Sequence, residues 1–431
     1  MTGGATSYGE ALEFLFARTT GGTKVGLERT RALLTALGDP QRRVPAFHVA
    51  GTNGKGSTCA MLEALLRRGG LRVGKYTSPH LVDFRERILV NGEPMAEEAV
   101  VAWVERWTAD CERIGATFFE ATTAMAFDHF ARAGADVAVI ETGLGGRLDS
   151  TNVLERPLAA GVTAIGVDHQ EFLGASIEAI AGEKAGIFKR GCPAIVGEWA
   201  PAVRRLLAEF ATDAGASPVR IVAEEFELSR VRLEGGLTHF TVRRPSAEEV
   251  ELATPLLGYH QARNALVALA MLEVAGPPYA LRAADVRGAL GSVRLPGRFQ
   301  RSGRFLFDVA HNPDGAAVLA ETLNAVRVER PVAALLTVLA DKDWRGMMRA
   351  LAPAVDHFVL SYAPTAPPQR AWDASEAQAF AVRAGWSAEV EPGFDRALER
   401  AARLGETVIV TGSFHTVGDA MARLQLSPLS P

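Results

Sequence analysis

Cysteine is scarce in this sequence, aromatic residues are few, and neither sign of charge predominates. The three cysteines, Cys59, Cys111 and Cys192, are odd in number and form no CxxC pair, which indicates free thiols in a reducing cytoplasm. Fifty acidic residues against 46 basic ones give a net charge of −4. This balance argues against generic nucleic-acid binding, because that function needs a basic surface.

Long hydrophobic runs are also missing. The longest apolar stretches, such as residues 332–340, fall far short of the roughly 18 residues that a membrane-spanning helix requires. Residues 1–9 are small and polar rather than typical of a secretory signal. We therefore expect a cytoplasmic protein that has neither a membrane nor a nucleic acid as its partner, and a monomer is the expected oligomeric state. The length of 431 residues predicts more than one domain.

Predicted strands alternate with predicted helices through the first part of the chain. Residues 135–140 and 161–167 are largely apolar, as is typical of buried parallel strands. The alternation predicts a doubly wound, mostly parallel sheet of the P-loop type, with ligands at the carboxyl ends of its strands. Two amphipathic helices are predicted within residues 7–38, interrupted at residues 19–24, and residues 226–244 predict an antiparallel β-hairpin.

A hinge is predicted at residues 294–298, which read Arg-Leu-Pro-Gly-Arg. A second series of strands and helices follows it, beginning with the apolar residues 305–309. We therefore predict one domain at residues 1–296 and a smaller Rossmann-like α/β domain at residues 297–431.

A glycine-rich loop follows the first buried strand. Residues 47–50 lead into Gly51-Thr52-Asn53-Gly54-Lys55-Gly56-Ser57-Thr58 and then into a helical pattern. Glycines allow backbone N–H groups to close around phosphate oxygens, and a helix N-terminus favours negative charge. Lys55 adds a cation for the terminal phosphates, and Ser57 or Thr58 can face a phosphate or a magnesium ion. The spacing is not that of the common Walker A loop, so a simple Gly-rich turn is the alternative.

The full string resembles the ATP loop of the Mur-ligase superfamily, and its Gly-Ser ending is similar to folylpolyglutamate synthase/dihydrofolate synthase. The resemblance covers nearly the whole chain. It is carried, in order, by residues 51–58, 77–81, 85–92, 119–122, 141–152, 168–169, 183–189, 260–264, 296–299, 308–313 and 411–413. It implies that residues 1–296 are a Mur-ligase-like ATP-binding domain and that residues 297–431 are a glutamate ligase domain.

The activity implied by the resemblance is ATP-dependent addition of L-glutamate to tetrahydrofolate, and also to dihydropteroate, through an acyl phosphate. Such phosphoryl transfer needs positioning and charge neutralisation more than covalent help from the protein. One alternative is a Mur-type peptidoglycan ligase, against which stand the Gly-Ser ending and the 50 residues before Gly51. Another is a non-catalytic ATP-binding switch, against which stand Glu141, His169, Lys184 and Asp308.

Polar residues stand at the ends of two apolar strands, Glu141 after the first and Asp168-His169 after the second. They are either strand-end caps or part of a magnesium site, since Mg²⁺ prefers oxygen ligands that it shares with phosphates and water. Lys184 by itself is typical of a solvated lysine on a helix. The resemblance instead implies that Lys184 is carbamylated and that it binds magnesium together with Ser57, Ser78, Glu141 and His169.

The resemblance also assigns the remaining site residues. Asn264, Arg298 and Asp308 are expected to contact ATP together with residues 51–58, and Lys55, Lys184, Arg298 and His311 are expected to act in catalysis. For Arg298 the alternative is a surface arginine in a linker. The pterin-bearing substrate is expected to contact Thr117, Phe118, Phe119, Glu120, Leu148, Asp149 and Ser150, although Phe118 and Phe119 can equally be core residues.

Overall fold

The structure is a computed structural model that describes residues 6–19, 26–243 and 249–429. The predicted interruption at residues 20–24, and Arg244 at the end of the predicted hairpin, lie outside the described residues. Within the described ranges, no helix combines the length and the apolarity that a membrane crossing requires.

Eight strands form the first sheet. In chain order they are β1 Ala46–Ala50, β2 Val73–Tyr76, β3 Ile88–Val90, β4 Glu93–Pro94, β5 Val137–Glu141, β6 Ala159–Val162, β7 Ala194–Val196 and β8 Val219–Ile221. Their spatial order is β4-β3-β2-β5-β1-β6-β7-β8. The six strands from β2 to β8 pair in parallel, while β3 and β4 add an antiparallel edge. The predicted mostly parallel sheet is therefore confirmed.

Helices cover both faces of this sheet. They are α1 Tyr8–Phe16, α2 Glu28–Ala36, α3 Lys55–Arg68, α4 Glu97–Ile114, α5 Phe118–Arg132, α6 Gln170–Leu173, α7 Ile177–Ala185, α8 Pro201–Asp213, α9 Val222–Glu225, α10 Tyr259–Ala275 and α11 Ala283–Gly291. Phe47 and Val49 of β1 point to the face covered by α3, α10 and α11. Ala46 points to the opposite face, under α1, α2, α4 and α5, so β1 is buried on both sides.

A three-stranded antiparallel sheet leans on the same α3–α10 face. Its strands are β9 Glu227–Glu234, β10 Leu237–Arg243 and β11 Val250–Thr254, with β10 in the centre. The predicted hairpin corresponds to β9 and β10. Phe240 and Val242 of β10 and Leu252 of β11 join the core beneath α10, which explains why this small sheet belongs to the first domain.

The second α/β unit has a six-stranded sheet of its own, in the order β12-β13-β17-β14-β15-β16. The strands are β12 Gln300–Ser302, β13 Phe305–Phe307, β14 Val332–Leu336, β15 His357–Leu360, β16 Ser387–Val390 and β17 Thr407–Thr411, and the helices are α12 Pro313–Val326, α13 Trp344–Leu351, α14 Ala374–Arg383, α15 Phe394–Leu404 and α16 Phe414–Arg423. Every strand from β13 to β16 in that order pairs in parallel. The strands of the first two sheets precede residue 296 and those of the third follow it; the boundary at 296/297 stays a prediction.

One predicted strand is shorter than expected. The strand predicted at residues 161–167 ends at Val162, because the chain turns onto the glycine-rich loop instead of extending the sheet. Thr163 Oγ1 donates to Asn53 O at 2.7 Å, and Ala164 O accepts from Thr52 N at 2.8 Å. Residues 163–166 thus support the loop from below.

Candidate functional site

The carboxyl ends of β1, β5 and β6 open into a cleft of about 2030 Å³ between the two α/β units. Residues of both units line it, as expected for a ligand site at the ends of parallel strands.

The glycine-rich loop joins β1 to α3, as predicted, although the helix already begins at Lys55. Gly54 has φ 90°, a left-handed conformation that favours glycine, and a Cβ there would lie 2.5 Å from Asn264 Oδ1. The backbone of the loop and Asn264 are therefore in direct contact. Asn264 is held by its own bond to Gln261 Oε1, at 3.1 Å.

Lys55 folds back over the loop. Its Nζ donates to Gly51 O at 3.1 Å and to Thr52 O at 3.2 Å, and it lies 4.0 Å from Glu141 Oε1. Glu141 is 5% exposed, and its Oε2 accepts from Ser78 N at 3.3 Å. Burial raises the pKa of Glu141, an effect that the positive charge of Lys55 opposes. The site thus holds one buried carboxylate beside one cation.

Lys184 is buried, 5% exposed, at the last turn of α7. Its Nζ donates to Gly51 O at 2.9 Å. Burial, followed by the charge of Lys55, lowers the pKa of Lys184 to about 7. The alternative of a solvated helix lysine is therefore wrong, and a substantial fraction of this amine is neutral near neutral pH.

Asp168 gathers three basic side chains at the end of the loop after β6. Lys342 Nζ lies 2.5 Å from Asp168 Oδ1, His311 Nε2 lies 3.3 Å from Oδ2, and His169 Nε2 lies 3.7 Å from Oδ2. Burial opposes ionisation of Asp168, but the bond from His311 and the neighbouring charges hold its pKa well below the usual range. Burial lowers the pKa of His169 to about 4, so this imidazole is neutral. Lys342 and His311 belong to the second unit, so the cluster spans the cleft.

The hinge residues turn towards the same cleft. Asp308 accepts from Phe299 N and Ala310 N, both at 2.9 Å, and burial raises its pKa against the opposing charge of Arg298. The Arg298 guanidinium carbon lies 5.2 Å from the ring centre of Phe414, within the range of a cation–π contact. Burial lowers the pKa of Arg298. The alternative of a surface linker arginine is therefore wrong.

An aromatic wall forms the other end of the cleft. Phe118 stacks on Phe16 with ring centres 5.3 Å apart, and the Arg87 guanidinium carbon lies 5.1 Å from the Phe118 centre. Arg87 Nε donates to His80 Nδ1 at 2.7 Å. Phe118 is 8% exposed and packs in the apolar core, as its alternative predicted, whereas Phe16 is 38% exposed. The flat face of Phe16, with the buried Arg87 behind Phe118, is suited to a planar ring that carries an anionic arm.

The comparison with known proteins agrees with this geometry. Residues 49–272 match the Mur ligase middle domain, and residues 297–414 match the Mur ligase, glutamate ligase domain. The dihydrofolate synthase/folylpolyglutamate synthase of Bacillus subtilis (strain 168) is 33% identical over 435 residues, covering 97% of this chain and 100% of that protein. The chain belongs to the dihydrofolate synthase/folylpolyglutamate synthase family.

Solved structures of this family share the fold. Escherichia coli FolC in complex with DHPP and ADP superposes with a TM-score of 0.85 at 33% identity, covering 98% of each chain. A bifunctional folylpolyglutamate synthase/dihydrofolate synthase with Mn, AMPPNP and L-glutamate bound has a TM-score of 0.85 at 34% identity, covering 99% of this chain and 100% of that chain. Membership of this family confirms the predicted α/β fold, in which a mostly parallel sheet with a small antiparallel element precedes a Rossmann-like unit. It also confirms the predicted ATP-dependent ligase activity.

Most residues that the sequence predicted for the site line the cleft. They are Gly51, Thr52, Asn53, Gly54, Lys55, Gly56, Ser57, Ser78, Thr117, Phe118, Phe119, Glu141, Leu148, Asp149, Ser150, His169, Lys184, Asn264, Arg298, Asp308 and His311. Their individual roles in this folate-synthase family member stay predictions.

Two predicted residues, Thr58 and Glu120, do not line the cleft. A third, Asp149, lines it, but its carboxylate is already hydrogen-bonded to the protein backbone. Thr58 is fully buried beneath the loop. Glu120 turns away to accept from Arg29 Nε at 3.0 Å and Thr117 N at 2.7 Å, which makes it a helix cap. Asp149 accepts from the backbone N–H groups of Gly143 and Leu144 at 2.9 and 2.8 Å, so its carboxylate shapes that loop.

The predicted metal site offers few protein donors of its own. Among the described residues, no three His, Cys, Asp or Glu side chains are grouped so as to hold a metal alone. Magnesium, however, usually takes only one or two carboxylates and completes its shell with water and phosphate oxygens. The buried Glu141 carboxylate beside the cleft-lining Ser57 and Ser78 fits that pattern.

Sequence reasoning missed Lys342, Arg87, Phe16 and Asn312. Lys342 follows the apolar strand β14 closely, so the strand-end argument used for Glu141 would have found it. Asn312 Nδ2 donates to Asn53 Oδ1 at 3.1 Å across the two units, a pairing that the sequence does not signal.

Proposed function

We propose that this chain joins L-glutamate to tetrahydrofolate, and also to dihydropteroate, in an ATP-dependent reaction through an acyl phosphate. The observation that carries the proposal is one cleft that holds the glycine-rich loop, buried Glu141 and Lys184, and the Asp168–Lys342–His311 cluster. The glycine-rich loop with Glu141 and Lys184 suits a nucleotide, and the Asp168–Lys342–His311 cluster suits an amino acid.

Activation of the acceptor carboxylate comes first. The carboxylate oxygen attacks the γ-phosphorus of ATP, ADP leaves, and the acyl phosphate keeps the transferred phosphoryl group. Backbone N–H groups at the start of α3 and the Lys55 ammonium would hold the phosphates. Asn264, Arg298 and Asp308 would orient the nucleotide from α10 and the hinge.

Ser57, Ser78, Glu141, His169 and Lys184 would hold a divalent cation, which supplies charge neutralisation for the phosphates when bound. The neutral Lys184 amine is the form that can attack CO₂. The new N–C bond gives a carbamate, and the proton lost from nitrogen goes to solvent. A pKa of about 7 makes this amine available near neutral pH, which supports the carbamylated state.

Amide formation follows when the amine of L-glutamate attacks the acyl carbon and phosphate departs. The Lys342 ammonium uses only part of its three donors on Asp168 and His169, leaving capacity for a substrate carboxylate. His311 Nε2 lies beside Asp168, close to where both reactants would meet. Enclosure between the two units would protect the acyl phosphate from water.

The substrate preference rests on the aromatic wall and on the relatives. Phe118, stacked on Phe16 beside Arg87, would receive the pterin-bearing acceptor, and Thr117, Phe119, Leu148 and Ser150 border the same space. Related proteins named dihydrofolate synthase/folylpolyglutamate synthase, and the FolC complex with DHPP, support the dual activity. We also infer that the chain acts as a cytoplasmic monomer.

Phosphate release tests the proposal. The chain is incubated with ATP, Mg²⁺ and L-glutamate together with dihydropteroate, tetrahydrofolate or a UDP-muramyl acceptor, and Lys184→Met serves as the matched inactive control. Turnover with both pterins is expected. Turnover with tetrahydrofolate alone would remove the dihydropteroate activity, and turnover only with the UDP-sugar would indicate the peptidoglycan branch. No turnover with any acceptor would favour a non-catalytic ATP-binding switch.

A further inference from the structure

One short loop, residues 78–83, connects three parts of the molecule. Ser78 N donates to the Glu141 carboxylate at 3.3 Å, and His80 accepts from Arg87 at 2.7 Å. Between the metal-site side and the aromatic wall, the loop places Leu81 against the second unit. Ser78, His80 and Leu81 each make one of these three contacts.

Glu86 holds the second half of that loop, residues 81–83. Its carboxylate accepts from the backbone N–H groups of Leu81, Val82 and Asp83 at 2.9, 2.7 and 2.7 Å. Three bonds to one half-buried carboxylate leave residues 81–83 little freedom to move by themselves. Residues 81–83 are therefore fixed to Glu86 as a unit, and only Pro79 and His80 separate Leu81 from Ser78 along the chain.

Leu81 is the point where the loop enters the second unit. Its side chain packs against the apolar cluster that includes Val309, Val417 and Met421. A Cβ on Gly418 of α16 would overlap the Leu81 carbonyl oxygen and lie 2.8 Å from its carbonyl carbon. The helix backbone thus touches the loop backbone, a close approach that only glycine permits.

The same helix carries the other side of the cleft. Phe414 begins α16, one turn before Gly418, and contacts both the Arg298 guanidinium and the His311 ring, with ring centres 5.9 Å apart in the latter pair. The spacing between Leu81 and Gly418 therefore sets the distance between the Glu141–Ser78 side and the Arg298–His311 side.

We propose that Leu81 is a positioning residue, which docks on Gly418 and registers the second unit against the Ser78–Glu141 side of the cleft. No reactant needs to touch Leu81 for this role. The activity readout rests on the proposed ligase function, whereas the distance readout below does not.

Gly418→Ala tests the contact directly. The added methyl pushes α16 away from the loop, while alanine is the better helix former, so the helix itself is not weakened. The matched control is Gly288→Ala in α11, where the nearest atoms to a new Cβ belong to the Arg68 side chain at 3.8 Å or more. We expect kcat of Gly418→Ala to fall about 100-fold, as for a misplacement near 1 Å, with a much smaller change in KM for ATP.

A second pair of variants separates register from folding. Leu81→Ala should lower kcat, whereas Leu81→Met should keep most of the parent kcat. The melting temperatures of the two variants should be the same, although their kcat values differ. The positioning role would be overturned if both Leu81 variants showed the same decrease in kcat and in melting temperature together with a changed KM.

The distance between the two units tests the positioning role of Leu81 independently of turnover. Spin labels at Glu112→Cys and Val382→Cys, one exposed position in each unit, report it by pulsed EPR, since Cys59, Cys111 and Cys192 are buried. Gly418→Ala should lengthen or broaden the distance distribution relative to Gly288→Ala. Identical distributions would overturn the proposal even if ligation were observed, and absent ligation in the unmodified chain would count against the proposed function alone.

Discussion

His48, at the centre of β1, predicts a specific loss of stability in acid. Its side chain is fully buried, and its Nε2 lies 2.8 Å from Thr151 Oγ1. Thr151 Oγ1 donates in turn to Asp149 Oδ1 at 2.5 Å, so the Thr151 oxygen accepts from a neutral His48 that carries its proton on Nε2. Asp149 holds the loop of Gly143 and Leu144, so His48 lies behind the wall of the site.

The size of this loss of stability follows from the pKa of His48. Burial, followed by the charge of Lys189, lowers the pKa of His48 from 6.5 to about 3. Between these values the unfolded chain binds a proton that the folded chain does not, so stability is lost as pH falls from 6.5 towards 3. At pH 4.5 the difference spans two units, or about 3 kcal/mol. That is a large share of the roughly 5–15 kcal/mol that stabilises a typical protein.

Urea unfolding of the chain and of His48→Gln, each at pH 7.5 and pH 4.5, measures this contribution. The glutamine amide can still donate to Thr151 but does not titrate. Other buried histidines lose stability equally in both proteins, so the variant should lose about 3 kcal/mol less than the parent between the two pH values. An equal loss in both proteins would refute the buried, neutral state of His48.

Three further variants address the cleft. Lys184→Met should abolish ligation without lowering the melting temperature, because methionine removes a predicted metal ligand but fills the same buried space; ligation at the parent rate would contradict this role. Asp308→Ala should raise KM for ATP, since both carboxylate oxygens organise the hinge backbone; steady-state kinetics with unchanged ATP dependence would count against it. Lys342→Met should raise KM for L-glutamate about 10- to 100-fold, the equivalent of one charge-assisted hydrogen bond of about 1.5–3 kcal/mol, while KM for ATP stays the same; the reverse pattern would argue for a nucleotide role.

Local pattern was sufficient for the main elements of the fold. The apolar runs behind β1, β5, β7 and β15 are short and buried on both faces, so their sequence alone marks them. The edge strands β11, β12 and β16 were not predicted, because half-exposed strands lack such a run. Helices α13 and α16 were missed as well, although their N-caps Asp343 and Ser413 each accept from the third helical N–H.

The candidate site was also predicted only in part from the sequence. Glu141 was found because a polar residue that ends an apolar strand stands out along the chain. His169 was found because it follows the apolar residues 161–167, although β6 itself ends at Val162. Lys342 has the same signal but lies in the second unit, and its contact with Asp168 arises only when the two units meet. Glu120 was assigned to the substrate from its motif, whereas the structure turns its side chain towards Arg29.

The sequence by itself determined the order of strand, glycine-rich loop and helix, the two α/β units and the ligase family, because these depend on neighbouring residues. Only the tertiary structure decided that Lys184 is a buried amine with a pKa near 7 rather than a solvated one. It also decided that Leu81 touches Gly418, far away along the chain. Burial, and the pKa shifts and close contacts that come with it, depend on which distant elements pack together, and no local pattern records that.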